Sequence, residues 1–399
     1  MKVGMLVNEL AVSGGYQKLV LRLTRELLEL GHEVTLYAVV VDRDRCYPGE
    51  WPAVRVVTPE GHDTDTAARL ELGRLIANDL DALIVHDEVS LSALSTFKGD
   101  ARVFWMLNNE LAWLRHGCTP RSLLGSGREA LRCGGPRALA AAIGQERTRC
   151  VARGIARKLD GYGVYDRRNA ADVKRHLGRD ATLVYAGADI EAFESLSSRR
   201  HPERSTRFSV LSVGVVFPHR RYEDVIDAVA EMSKIADTEL TIVGLQTLAP
   251  DYARVLRERV ISLGQQEHVH FRDYVSRQEL EQLYIDADAF AFVNEGLTWG
   301  IAVFEALAAG VPVIISDTVG AVDLVQSGKH GWVVPARDPA GLATALGEIY
   351  TNPERARRLT EAARRDLLDL VRWPAYAKRI ERAIASPCST PCRTTSRTT

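Results

Sequence analysis

The 399-residue chain has only six cysteines, at 46, 118, 133, 150, 388 and 392. None forms a CxxC pair and none has a histidine at ligand spacing, so neither a disulfide framework nor structural zinc is expected to organise the fold. Charge of one sign is also lacking: 51 basic residues face 52 acidic ones, a formal net charge of −1. A dedicated nucleic-acid binder, whose phosphate contacts call for a strongly basic domain, is therefore not expected. Lysine is scarce, eight of the 51 basic residues, and we read this as a GC-rich coding bias rather than a selection of guanidinium forks. No apolar run approaches the roughly 18 to 20 residues that span a bilayer. The chain opens on a strand pattern, MKVGMLVNEL, without the apolar core and small-residue cleavage site of a signal peptide, and a cytoplasmic location is the expectation. What is present is an ordinary globular composition, 46% hydrophobic and 26% charged, at a length suited to about two or three domains.

Short β-branched runs alternate with helical patterns, the mark of parallel strands joined by crossover helices. The first half offers KVGMLV, EVTLYAVVV, RVVTP, LDALIVH, RVFWMLN and TLVYAG; the second offers FSVLSVGV, ELTIVG, HVHFRDY, AFAFV, VPVIIS and GWVVP. Between them residues 187–206 lose hydrophobic periodicity and gain Ser, Arg and Pro, as a linker would. Two doubly wound α/β domains are expected, 1–186 and 207–371, with their strand C-termini facing a cleft. Trp373, Tyr376, Ile380 and Ile384 recur at helical spacing, which predicts a helix over 372–386 with an apolar face that must dock. Residues 387–399 are low in complexity and read as a disordered tail.

Three stretches carry chemistry. After the first strand, Gly14 and Gly15 precede a helix striped by Leu19, Leu23, Leu27 and Leu30, with Ser13 placed to cap it and Gly31 to end it. Such a loop brings backbone N–H groups to an anion; the other reading is a turn that needs positive φ. In VNEGLTWGIAVFEALAAGVPVIIS a strand ends near Val293 and a helix runs from about Ile301 to a stop at Gly310. Gly300 lets a ligand approach the backbone, and Glu305, one turn beyond Ile301, can accept from two vicinal hydroxyls. In SVGVVFPHRRYEDVIDAVAEM, Arg220 and Arg221 sit between a strand and a helix, where guanidiniums can grip a diphosphate, or can remain solvated.

These stretches resemble the retaining glycosyltransferases of family 4, which have the GT-B architecture of two Rossmann-like domains. The resemblance spans nearly all of residues 1–386 and includes the GG loop before GHEV, the AGAD hinge, the SVG strand leading to a basic residue, and FEALAAGVPVI and GKHGWVVP. It implies transfer of a sugar from a nucleotide-sugar donor with retention, without metal or a separate cofactor. Carried over position by position, it gives Glu305 the donor ribose and Arg220 the place of a phosphate-binding Lys. Gly14, Gly15 and Gly214 fall beside the diphosphate, with Arg221 next to Arg220, and Thr298, Trp299, Gly300 and Ile301 supply backbone around sugar and phosphates. The sequence departs from the pattern at Leu297, where the motif has Glu, with Glu295 two residues early as if the loop were longer. It departs also at Val215, where an Arg commonly stands, and at Asn108, where a strand-end His is common. Catalytic roles then fall to Arg220, Glu295, which would orient the sugar hydroxyls, and Asn108.

Other signals are weaker. DxD pairs occur at Asp42/Asp44, Asp63/Asp65, Asp79/Asp81 and Asp286/Asp288, a scatter that reads as background, and His86 reads as a strand end. From Arg115 to Asp180 there are 15 Arg and Lys against 6 Asp and Glu, with Arg149, Arg153 and Arg157 stacked at helical spacing. This is either a solvated face or a surface for anionic lipid at the inner membrane face, or for a negatively charged acceptor. The expected reaction moves a sugar from an NDP-sugar to a hydroxyl of a saccharide, lipid-linked or natural-product acceptor. Two rival readings are a nucleotide-sugar 2-epimerase of the same fold and a non-catalytic sugar-nucleotide-binding subunit.

Overall fold

The computed structural model describes residues 1–60, 66–107, 151–200, 207–296 and 298–386. The chain divides into two compact units, Met1–Val184 with Tyr376–Thr399, and Tyr185–Ala375.

In the first unit the strands are β1 (Lys2–Leu10), β2 (Glu33–Val41), β3 (Arg55–Val57), β4 (Ala82–Val85), β5 (Arg102–Leu107), β6 (Gly161–Val164) and β7 (Thr182–Leu183). They form one parallel sheet in the order β3-β2-β1-β4-β5-β6-β7. The central strands are near-continuous apolar runs because helices cover both faces; Val3, Met5, Leu6 and Val7 of β1 are all fully buried. The helix Gly15–Glu29 buries Leu19, Leu23 and Leu27 and ends before Gly31 at φ +83. Ser13 does not cap it. Its hydroxyl donates to the Arg45 carbonyl at 3.1 Å and accepts from the Tyr47 N–H, and Gly14 is the capping residue instead.

The second unit repeats the plan with β8 (Phe208–Val213), β9 (Thr238–Val243), β10 (Val269–Arg272), β11 (Ala289–Phe292), β12 (Val313–Ser316) and β13 (Trp332–Val334). The order is β10-β9-β8-β11-β12-β13, again all parallel. Numbered from the first strand of each unit, both sheets read 3-2-1-4-5-6 across their first six strands. In such a sheet the chain leaves to opposite sides from the first and fourth strands, and a crevice opens at their C-terminal ends. That places a candidate ligand position at the ends of β1 and β4 in one unit and of β8 and β11 in the other.

The stretch expected to be a linker is instead part of the second unit as far as it is described. Ile190–Glu194 is helical, Ser195–Arg199 a 3-10 turn, and Ile190, Phe193 and Leu196 are buried. Its polar composition hides three apolar residues at helical spacing. The terminal helix, Trp373–Ala385, straddles a unit boundary. Within the second unit Trp373 donates to Asp189 at 2.7 Å, and Arg372 pairs with Glu191 and Glu194 at 2.9 Å each. Within the first, Glu381 meets His32 at 3.0 Å, Arg379 donates to the Val184 carbonyl, and Tyr376, Ile380 and Ile384 are buried. Residues 387–399, read as a tail, lie outside the described residues.

Candidate functional site

The second unit assembles most of the residues singled out from sequence around the ends of β8 and β11. β8 runs into Gly214, where a Cβ would stand 3.0 Å from Nη2 of Arg220. The glycine thus leaves the space that the guanidinium fills. A 3-10 turn, Pro218–Arg220, folds Arg220 back to only 3% exposure, with its guanidinium 3.6 Å over the Phe292 ring and 5.5 Å from that of Tyr222. Nη2 donates to the Val213 carbonyl at 3.4 Å, while the buried Nε has no partner. No carboxylate among the described residues pairs with this cation. A desolvated and uncompensated guanidinium is costly, and an anion arriving at the strand end would relieve that cost.

Arg221 does something else. It takes φ +48, and its guanidinium is held by Asp224 at 2.7 and 3.1 Å and by Glu223 at 2.7 Å. Its pKa is raised, first by the hydrogen bonds to Asp224. The pair of arginines is therefore not a double grip on phosphate: Arg221 braces the start of the Tyr222–Met232 helix, and Arg220 alone is uncommitted.

Beyond β11 the chain continues through Asn294 and Glu295. Asn294 is 1% exposed; its N–H donates to Ser316 Oγ at 2.9 Å, the Ser316 hydroxyl donates back to its carbonyl at 3.0 Å, and its Oδ1 is buried without a partner. The Glu295 N–H donates to the His219 carbonyl at 2.7 Å, which ties together the loops that follow β8 and β11. The Glu295 carboxylate pairs with Arg337, whose guanidinium holds it below the usual carboxylate range. Leu297, the position at which the motif has Glu, lies outside the described residues, as does Asn108.

Gly300 caps the Ile301–Ala308 helix at φ +86, with room for a Cβ only 3.0 Å from Val319. The helix's first N–H groups are thereby presented at the strand ends. The carbonyls of Thr298 and Trp299 are taken by the N–H groups of Gly320 and Ala321. The Trp299 side chain turns into the unit, stacking on Tyr185 and Phe304 at 5.7 and 5.3 Å and donating to the Ala186 carbonyl at 3.2 Å. It is a structural prop for the loop. Glu305 is 5% exposed, and its charge adds to burial in raising the pKa of Tyr284.

At the ends of β1 and β4 in the first unit, Gly14 and Gly15 open the Gly15–Glu29 helix without positive φ, so the glycines are not there for a left-handed turn. The Gly14 carbonyl accepts from the Tyr47 hydroxyl at 3.1 Å. The sequence reading passed over the polar group beside them. Asp87 accepts four hydrogen bonds: from the Asn8 N–H (2.7 Å), the Tyr16 hydroxyl (2.9 Å), and the N–H and hydroxyl of Ser90 (2.7 and 2.9 Å). His86 is 4% exposed, and burial pushes its pKa down to about 3. The HD pair closing an apolar strand was the visible signal. Among the described residues no cluster of three or more His, Cys, Asp or Glu is placed to hold a metal, and no helix is long and apolar enough to cross a membrane.

Comparison with known proteins finds similarity over part of the chain and over the whole fold. Residues 193–366 match the family described as Glycosyl transferases group 1. A GDP-mannose-dependent alpha-(1-6)-phosphatidylinositol monomannoside mannosyltransferase of Mycolicibacterium smegmatis is 32% identical over 181 residues, 43% of this chain and 46% of its own. Its namesake in Mycobacterium tuberculosis strain CDC 1551 is 30% identical over 254 residues, 58% of this chain and 64% of its own. The chain thus spans about half to just under two thirds of the length of these curated relatives. Among solved structures, HepE of Anabaena in complex with UDP and glucose superposes with a TM-score of 0.73 over 97% of this chain and 100% of that one, at 17% identity. That likeness shows the fold, GT-B. What the comparisons show is a match to the glycosyl transferases of group 1 over residues 193–366, a little under half of the chain, on a GT-B fold.

Proposed function

We propose that the protein is a retaining glycosyltransferase that moves a sugar from an NDP-sugar to an acceptor hydroxyl. The second unit would hold the donor and the first the acceptor. The observation that carries this reading is Arg220, a buried cation without a counter-ion among the described residues, beside an N-terminal helix end. Both features stabilise negative charge, and charge grows on the diphosphate as the glycosidic bond breaks. As the sugar becomes oxocarbenium-like, a diphosphate oxygen on the same face takes the proton of the incoming hydroxyl, which gives retention without a covalent enzyme intermediate. Glu305 would bind the ribose, Glu295 would orient the sugar hydroxyls, and Asn108 would act on the acceptor side. With Arg220 and the helix end balancing the diphosphate, no metal and no separate cofactor would be needed.

The mycobacterial relatives carry names that specify GDP-mannose and a phosphatidylinositol mannoside, and HepE was solved with UDP; these favour a hexose donor and a hydroxyl-rich acceptor. The basic stretch supports peripheral contact with anionic lipid from the cytoplasmic side. Its described part, 151–180, holds eight Arg and Lys against four Asp. Residues 115–150 lie outside the described residues.

The test is a thermal-shift screen of GDP-, UDP- and ADP-hexoses on wild type and Arg220→Met, followed by transfer assays with the donor that binds. Stabilisation of wild type by one donor, lost in the variant, is expected. A donor that binds both proteins equally would remove the basis of the reading. Epimerisation of donor without acceptor would point to the rival enzyme class.

A further inference from the structure

Four buried side-chain atoms without a hydrogen-bond partner lie at the two topological switch points. Arg220 Nε and Asn294 Oδ1 follow β8 and β11; Asn8 Oδ1 and His86 Nε2 lie at the ends of β1 and β4. Buried polar atoms are nearly always paired in native proteins. An unpaired set at the strand ends of both sheets, where such folds take ligands, marks two places completed from outside.

The two places differ in chemistry. The one in the second unit has a cation. Around His86 stand Tyr16, edge-on to the imidazole at 6.4 Å, and Asp87, with no cation among these groups. Asp87 is already supplied by four donors, so it is a strut rather than an open acceptor. Of the buried side-chain atoms there, one imidazole nitrogen and one amide oxygen remain without a partner. A phosphate or carboxylate could give Asn8 Oδ1 no proton and would meet the Asp87 charge. A hydroxyl both donates and accepts, so it satisfies Nε2 in either tautomer and Oδ1 as a donor.

We propose that His86 and Asn8 bind uncharged hydroxyl groups of the acceptor, a sugar or cyclitol ring, and position it in the first unit. This rests on the reading of the chain as a transferase whose first unit takes the acceptor. It adds that the ring held there carries no charge at this contact, whatever is attached elsewhere on the molecule.

The experiment measures binding separately from transfer. Methyl α-mannoside, methyl α-glucoside, myo-inositol and the corresponding phosphates are titrated by ligand-observed NMR against the full chain as wild type, His86→Phe, His86→Gln and Asn8→Ala. NDP-hexose affinity and melting temperature are recorded for each. Wild type should bind at least one neutral ring and disfavour its phosphate. His86→Phe should weaken that ring by about tenfold, the order of one lost hydrogen bond, with donor affinity unchanged and melting temperature equal or higher. His86→Gln, which keeps a polar atom near Nε2, should recover part of the loss, and acceptor KM should follow the same ranking with kcat little changed. Binding of no neutral ring, preference for the phosphates, or equal ring binding by wild type and His86→Phe would overturn the proposal. Failure of the transferase reading shows differently, as absence of NDP-hexose binding by wild type.

Discussion

Acid should destabilise the first unit through a single histidine. His86 is 4% exposed, and burial alone lowers its pKa from 6.5 to about 3. In the unfolded chain the imidazole titrates normally, so between those two values the unfolded state binds a proton that the folded state refuses. Stability therefore falls as pH drops below about 6.5, at about 1.4 kcal/mol per pH unit, and levels off near pH 3. At pH 5 the loss attributable to His86 is about 2 kcal/mol, a sizeable part of the roughly 5 to 15 kcal/mol by which a domain is stable. Other groups titrate over the same range, so the measurement is a difference: urea unfolding of wild type and His86→Phe at pH 7.5 and pH 5. Wild type should lose about 2 kcal/mol more than the variant. In wild type the His86 ring resonances should stay fixed from pH 7.5 to 5. Parallel pH dependences for the two proteins, or an imidazole that titrates near pH 6, would refute the reasoning.

Arg220→Met removes a buried charge that has no carboxylate partner among the described residues, so it should leave the melting temperature unchanged or raise it while weakening NDP-sugar binding by roughly ten- to a hundredfold, as read by calorimetry. Glu295→Gln should lower kcat more than donor affinity, with no measurable change in melting temperature, since its partner Arg337 is an exposed side chain. Trp373→Ala empties a fully enclosed site and removes the indole hydrogen bond to Asp189, which should cost about 3 to 5 kcal/mol in denaturant unfolding. Gly187→Ala, whose Cβ would lie 2.3 Å from that same indole, should cost about 1 to 3 kcal/mol. Transfer activity should survive EDTA; its loss and recovery with manganese would contradict the charge balance proposed around Arg220.

The parallel architecture was legible wherever strands were apolar and β-branched, which covers all six strands of the second unit. β6, GYGV, escaped because glycines argue against a strand in isolation. The structure supplies the reason for them: a Cβ on Gly161 would lie 2.1 Å from the Phe104 ring, and one on Gly163 2.5 Å from Met106 Sδ. Both demands come from the neighbouring strand and leave no trace within β6. At the candidate site, glycine spacing and the lone Glu of an apolar helix pointed to the loops that the fold gathers at the ends of β8 and β11. What sequence did not separate was Arg220 from Arg221, because the difference lies in which of them meets Glu223 and Asp224. Nor did it identify Trp299 as a prop, since its partners Tyr185 and Ala186 lie more than a hundred positions earlier.

The order in which the polypeptide visits its two units bears on how it is made. Where the chain passes into the second unit the Ala188 N–H donates to the Val371 carbonyl at 2.8 Å, so the two ends of residues 185–375 lie side by side. A segment with adjoining ends can close on itself as soon as it has been synthesised. The first unit has no such freedom. Its sheet is complete by Leu183, yet Tyr376, Ile380 and Ile384, which bury themselves in that unit, are translated roughly two hundred residues later. At a usual elongation rate of about 5 to 20 residues per second, the nascent first unit waits some ten seconds or more with an uncovered apolar face. During that interval the nascent first unit exposes apolar surface of the kind that chaperones bind, whereas the inserted unit has all its residues at hand once Ala375 is made.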